Sequence, residues 1–345
     1  MSLSLSYLKM SDAEKCKVLL SYALQDKLFE KIIDDLSDYG YEVSFSFFGG
    51  AGAYMPFAVA TESLDNPSKQ AQFSSGFWRM IESGQYKARF RLSLFAGLHG
   101  AAHSFLHEMM HFYQDMYGLY ALPLQEQGRF PICLNANSDI VAILFCEAFA
   151  QVEAIRTSWA LLQTGDDLGW RGALSSPDWA GLAKQYDDAL QSGVDEAKAA
   201  ADIFKAWYKG KHRTFYEQHA LSVHETNMRR YCDGVQNLSD AIIGQNLRSI
   251  EIPALFARLP QENVPRYFGQ IDWNDPLFMS VQSPKVQRQL ELLETRFGNA
   301  DNPNIQDIKC GAPPYLWHRL RMSAQNDPDH PPMEMSGGMT VGSEG

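Results

Sequence analysis

Cysteine is scarce in this chain and poorly spaced for covalent or metal-binding work. The five cysteines (Cys16, Cys133, Cys146, Cys232, Cys310) include no C-x-x-C pair. An odd number cannot all pair within one chain, so the thiols read as reduced and a cytoplasmic setting is expected. Long hydrophobic runs are missing too: no stretch reaches the roughly 18 uncharged apolar residues of a membrane span, and the segment from Ile140 to Phe149 is short and interrupted by Glu147. Met1 to Met10 has neither a basic start nor a following apolar run, so no export is expected from it. No membrane partner is expected. Basic charge is also thin. With a formal net charge of −11, the chain does not present the concentrated positive surface that phosphate binding needs, which excludes nucleic acid as an expected partner. The small clusters at Lys209–Arg213 and Arg229–Arg230 read as solvated helix faces. No internal repeat and no heptad array occurs.

What is present is ordinary globular material, 45% hydrophobic and 21% charged, enough for one large core or two smaller ones. From Ser11 to Ser37 the apolar residues recur at helical spacing, and Ser11 with Glu14 has the form of a capping box. Tyr41–Phe48 is rich in β-branched and aromatic residues and stops at a glycine cluster, which predicts a strand and a tight turn. Tyr54–Thr61 and Ala88–Phe95 are candidates for two more strands. His99–Tyr117 predicts a helix closed by Gly118, and Asn137 and Ser138 are candidate caps for a long helix from about Asp139 to Leu162. Helical patterns continue at roughly Pro177–Ala189, Val194–Lys209, Tyr216–Gly234, Ser239–Asn246 and Lys285–Arg296. The expected class is α+β, predominantly α. Residues 1–138 would form an α+β part with a small sheet and 139–326 a helical part. Residues 327–345, rich in proline, glycine and polar groups, would form a flexible tail.

The chemistry concentrates in His107-Glu108-Met109-Met110-His111, an H-E-x-x-H sequence in a strong helical context. Residues four apart on a helix lie one above the other, so both imidazoles can face one cation while Glu108 stands beside them, within reach of a bound water. Such a cation, zinc above all, brings the pKa of that water toward neutrality, and a nearby carboxylate can take its proton and return it to the leaving group.

A catalytic zinc site usually has three protein ligands and one open position. His103 is tempting, but histidines at i, i+4 and i+8 span about 12 Å of helix axis, whereas ligands of one ion lie no more than about 4 Å apart. It reads better as a wall of the site. Glu147 is the stronger candidate: a carboxylate amid Ile140, Val141, Leu144, Phe145, Phe149 and Val152, where a charge is costly unless paired or metal-bound. Asp139 and Glu153 are its competitors.

These residues resemble the zincin metallopeptidases, and among them the gluzincin pattern in which a glutamate on a downstream helix completes the H-E-x-x-H pair. The resemblance covers about His99 to Glu153. It implies a zincin-like fold with one zinc per chain held by His107, His111 and Glu147, Glu108 as general base, and a peptide or protein substrate running beside a sheet edge near Ala88–Phe95. The thermolysin-like members carry an aspartate four residues after the ligand glutamate, where this chain has Gln151. Asp115 is a candidate to support a ligand instead. An oxyanion donor is also required. Tyr216, His219, His224 and Tyr231 share one helical segment, and of these Tyr231 and His224 are favoured. Two alternatives use the same motif: a non-catalytic zinc-binding or regulatory protein, and a zinc hydrolase acting on a bond other than a peptide.

Overall fold

The computed structural model describes residues 5–39, 41–46, 52–55, 88–117, 119, 136–232, 245–246, 251–257, 259–297 and 306–307. The expected tail, Gly118, residues 56–61 of the expected Tyr54–Thr61 strand and residues 239–244 of the expected 239–246 helix lie outside them.

Three short helices open the chain: α1 (Leu5–Lys9), α2 (Asp12–Ala23) and α3 (Lys27–Tyr39). The capping box is present. Ser11 Oγ accepts from the Glu14 N–H at 3.3 Å while Glu14 Oε2 accepts from the Ser11 N–H at 2.7 Å, satisfying donors that the first helical turn leaves open. Asp26 Oδ1 does the same for Leu28 and Phe29 at the start of α3. A three-stranded sheet follows, made of β1 (Tyr41–Ser46), β2 (Gly52–Met55) and β3 (Ala88–Ser93) in the order β1-β3-β2. In it β1 is parallel and β2 antiparallel to β3. This corrects one expectation: Ala88–Ser93 is the central strand, hydrogen-bonded on both sides, and among the described residues the sheet edge beside the motif helix is β2.

β3 leads through a 3₁₀ turn at Leu94–Ala96 into α4 (Gly97–Met116), which carries the motif. α4 packs on the sheet through Phe105 against Phe90 and through Phe112 against Tyr54, whose ring also meets Phe90. The next helix, α5 (Ala136–Gln163), is the axis of the molecule. Every residue from Ser138 to Ile155 is buried, the signature of a helix with neighbours all round rather than an amphipathic stripe. It starts three residues before the expected position, and Asn137 serves a tertiary contact instead of a cap, accepting from the Val281 N–H at 3.3 Å.

α6 (Leu168–Ser175), α7 (Ala180–Gln191), α8 (Glu196–Lys209) and α9 (Lys211–Cys232) complete the helical layer. The sequence pattern passes over α6 because Gly169 and Gly172 make it look like a loop. Gly172 is there for close approach: a Cβ at this position would land on the His99 carbonyl of α4. Short segments α10 (Ile252–Phe256) and α11 (Pro276–Met279), then α12 (Pro284–Phe297), close the other side of α5. Gln245–Asn246 pairs with Gln306–Asp307 as two-residue parallel strands, so the end of the expected 239–246 helix is extended. The helical content with a small three-stranded sheet and one two-residue strand pair agrees with the α+β, predominantly α class, and among the described residues no helix is long and apolar enough to cross a membrane.

One basic residue assigned to a solvated face is buried. Arg213 donates to Glu217 Oε1 at 2.7 Å and to the carbonyls of Leu277 and Ser280. Glu217 in turn accepts from the N–H groups of Gln282 and Ser283. This network ties α9 to residues 277–283. Arg213→Ala is expected to lower unfolding stability by about 3–5 kcal/mol, because it strands a buried carboxylate and two carbonyls. Urea denaturation checks this, and a loss below about 1 kcal/mol would show that the network is expendable.

Candidate metal centre

The site is assembled by two antiparallel helix pairs. Between α4 and α5, His107 stands opposite Glu147 and His103 opposite Gln151, so four residues back on one helix correspond to four forward on the other. Between α5 and α9, Tyr216 stands at Glu147 and His224 at Asp139, again in antiparallel step.

His107 and His111 present their Nε2 atoms 3.1 Å apart. Glu147 straddles them, with Oε2 3.5 Å from His107 Nε2 and Oε1 3.5 Å from His111 Nε2. The ligand atoms these residues offer lie within 4.8 Å of one another. A tetrahedral ion with bonds of about 2.0–2.1 Å holds its ligands about 3.3–3.4 Å apart, so the 3.1 and 3.5 Å separations are close to those one such ion requires. The donor set, two imidazole nitrogens and a carboxylate, suits a divalent transition metal.

The acids of α5 sort themselves by partner. Asp139 accepts from or shares a proton with His224 Nδ1 at 3.0 Å. Glu153 takes both of its oxygens to Arg156 at 2.9 Å. Glu147 is the one that meets the motif histidines. His103 is occupied on both ring nitrogens by α5: Gln151 Nε2 lies 2.9 Å from Nε2 and Ser158 Oγ 3.3 Å from Nδ1. Burial first, and then the neighbouring His107, pull its pKa down to about 3, consistent with a neutral ring held by the Gln151 amide.

His111 is oriented by Gln114, three residues on along α4. Its Nδ1 lies 2.9 Å from Gln114 Oε1, while Gln114 Nε2 donates to the Cys146 carbonyl at 2.8 Å. An amide oxygen only accepts, so Nδ1 carries the proton and Nε2 keeps its lone pair in the neutral ring, aimed at the cluster. Sequence reading missed this residue, though its i, i+3 spacing from His111 was visible. The side chain of Asp115 lies outside the described residues.

Charge is balanced finely. Burial disfavours the cationic form of His111, but the Glu147 carboxylate outweighs it, and the pKa rises to about 9. Burial likewise disfavours ionised Glu147, yet His111 and His107 hold its carboxyl well below the usual range. Glu108 is different. Burial lifts its pKa, a tendency the two histidines and a hydrogen bond from the Tyr54 N–H oppose and Glu147 reinforces.

Of the candidates on α9 whose side chains are described, Tyr216 reaches the cluster. Its phenol hydrogen-bonds Glu147, and burial followed by that carboxylate's charge raises its pKa well above the ordinary value. His224 stands two turns further along, about 12 Å of axis away, with its Nδ1 on Asp139. His219 stacks on Phe215. The side chain of Tyr231 lies outside the described residues. Nothing in the sequence could rank these four, because the choice depends on which face of α9 meets α5.

Residues 89–233 match the model of a family described as "Putative metallopeptidase family (DUF6782)". The matched span runs from β3 to just beyond α9, so it includes His107, Glu108, His111, Glu147 and Tyr216 and excludes β2. No curated protein and no solved structure matches the chain. The chain is thus similar, over this span, to a metallopeptidase family, and the His107, His111 and Glu147 cluster within it supports a metal ion.

Proposed function

We propose that this protein is a zinc-dependent metallopeptidase, with one zinc per chain held by His107, His111 and Glu147 and peptide or protein as substrate. The observation that carries the reading is the convergence of two Nε2 atoms 3.1 Å apart on the Glu147 carboxylate, each 3.5 Å from one of its oxygens, next to a second buried carboxylate, Glu108. When bound, zinc would supply a Lewis acid for the scissile carbonyl and a water whose pKa is brought toward neutrality. Glu108 stands where it would take a proton from the attacking water and pass it to the leaving amine. A carboxyl whose proton affinity is raised by burial is suited to both halves of this exchange. Tyr216, a phenol kept protonated by its surroundings, is the donor for the developing oxyanion, in place of His224. Gln114 keeps His111 in the ligand tautomer.

Three outcomes test this. Elemental analysis should find about one zinc per chain in the wild type and in Glu108→Gln, and little in Glu147→Ala. A peptide-library digest should show cleavage by the wild type alone. Full zinc binding by Glu147→Ala would remove it from the ligand set, and cleavage by Glu108→Gln would remove the base.

Tyr216→Phe should keep the metal and lower kcat by about 10²–10³-fold with KM little changed, measured by steady-state kinetics on any peptide found in that digest. An unchanged kcat would take Tyr216 out of the reaction.

Metal binding should also release a proton. In the metal-free protein His111 is held charged by Glu147, with a pKa of about 9, and a ligand imidazole must be neutral. Zinc affinity is therefore expected to rise about tenfold per pH unit up to about pH 9 and then level off. Isothermal titration in buffers of different ionisation enthalpy reads the proton directly. No release at pH 7 would contradict the His111–Glu147 coupling.

A further inference from the structure

Strand β2 and helix α4 share a spacing. Two strand residues advance about 6.7 Å and four helical residues about 6 Å, so Gly52 and Tyr54 fall over Glu108 and Phe112 in turn. The Tyr54 ring meets Phe112 edge-on, with centroids 6.1 Å apart. At Gly52 there is no side chain, and Glu108 fills the space. A Cβ built on Gly52 would stand 2.7 Å from Glu108 Oε1, 3.0 Å from Cγ and 3.2 Å from Cδ. The backbone N–H of Tyr54 then donates to the same carboxylate. The general base is thus touched on one side by bare backbone and held by a main-chain donor from the same strand.

We infer that Gly52 is a positioning residue for Glu108: the uncovered backbone of β2 sets where the carboxylate stands beside His107 and His111, and a side chain there displaces it. The displaced group is most of the Glu108 side chain. Methyl contacts at 2.7–3.2 Å with three of its atoms are not relieved by turning the carboxylate about its last bond, because Cγ and Cδ are among them. The strand cannot retreat freely either. Its other edge is paired to β3 from Gly52↔Leu92 to Met55↔Arg89, and Tyr54 is packed between Phe90 and Phe112. The side chain that gives way is Glu108. The inference rests on the proposed role of Glu108 for its kinetic consequence only. The contact itself can be tested without turnover.

The experiment is a double-mutant cycle on the full-length chain. In metal-free protein, Gly52→Ala should lower the thermal unfolding midpoint by a few degrees, the effect of overpacking a filled site. In a Glu108→Ala background the same replacement should cost nothing or raise the midpoint, since the atoms it would meet are gone. An equal drop in both backgrounds overturns the contact, and so does an absent drop in the first. In zinc-loaded protein, Gly52→Ala should hold metal within about twofold of wild type and lose about 10–100-fold in kcat at similar KM. Wild-type kcat would overturn the positioning role. If the chain hydrolyses no peptide at all, the unfolding cycle still decides, so failure of the functional proposal and failure of this one are separable. If Gly52→Ala alone does not fold, recovery of folding by Glu108→Ala supports the inference and persistent misfolding refutes it.

Discussion

A carboxylate in the middle of a helix that is buried on every face cannot stand uncompensated, and the arrangement of this molecule's helices follows from that constraint at Glu147. Two imidazoles come to it from α4 and a phenol from α9. Because a helix repeats its side-chain directions every three to four residues, fixing 107 against 147 also fixes 103 against 151, and fixing 216 against 147 also fixes 224 against 139. The pairs His103–Gln151 and His224–Asp139 are therefore the outlying teeth of the same two registers. They lock the registers with neutral or paired polar contacts while leaving the middle level for ligand chemistry. Gly172 lets α6 press on α4 where α6 also packs against α5, and Gln114 ties α4 to the backbone of α5 one residue before Glu147.

Electrostatics points the same way. With both imidazoles neutral and both carboxylates ionised, the cluster of His107, His111, Glu108 and Glu147 carries two negative charges in a water-poor interior. A divalent cation cancels that charge. In its absence a proton is the available substitute, which is why His111 is held charged by Glu147 and why burial lifts the pKa of Glu108. The two carboxylates differ because their surroundings differ. Glu147 has both histidines on its oxygens, whereas Glu108 has one main-chain donor and much dehydrated surface. Separation of proton affinities between neighbouring acids is what divides a ligand from a base.

The motif helix, the long following helix and the class of the fold were legible because periodicity and capping are local, and Glu147 stood out as a charge in an apolar run. Other features depended on pairings between distant segments. A glycine pair made α6 look like a loop, although those glycines mark where another helix's backbone passes. Arg213 sat in a basic cluster typical of a solvated face, and only its neighbours from residues 277–283 reveal it as buried. The choice of Tyr216 over His224 required the facing of α9 on α5. The alternation of Ala88–Ser93 gave a strand correctly, but strand order is not written in alternation, and its central place was invisible.

The ligands and the base are held by different kinds of structure. Every proposed zinc ligand sits on a helix and is set by helix-to-helix register, which tolerates substitution at most surface positions because many contacts share it. Glu108, though next in sequence to a ligand, takes its position from β2, a four-residue strand in which a single missing Cβ makes the room. On the proposed function, binding a metal and activating water are thereby separable: the helices would hold the ion, while turnover would also require the strand. The family match begins in β3 and does not reach β2, so the strand that touches Glu108 lies outside the part of the chain through which the resemblance to metallopeptidases is recognised. On the proposed function, a chain with the matched helices but a bulkier residue at the position of Gly52 would keep the metal and lose activity, and the difference would rest on one side chain's worth of space.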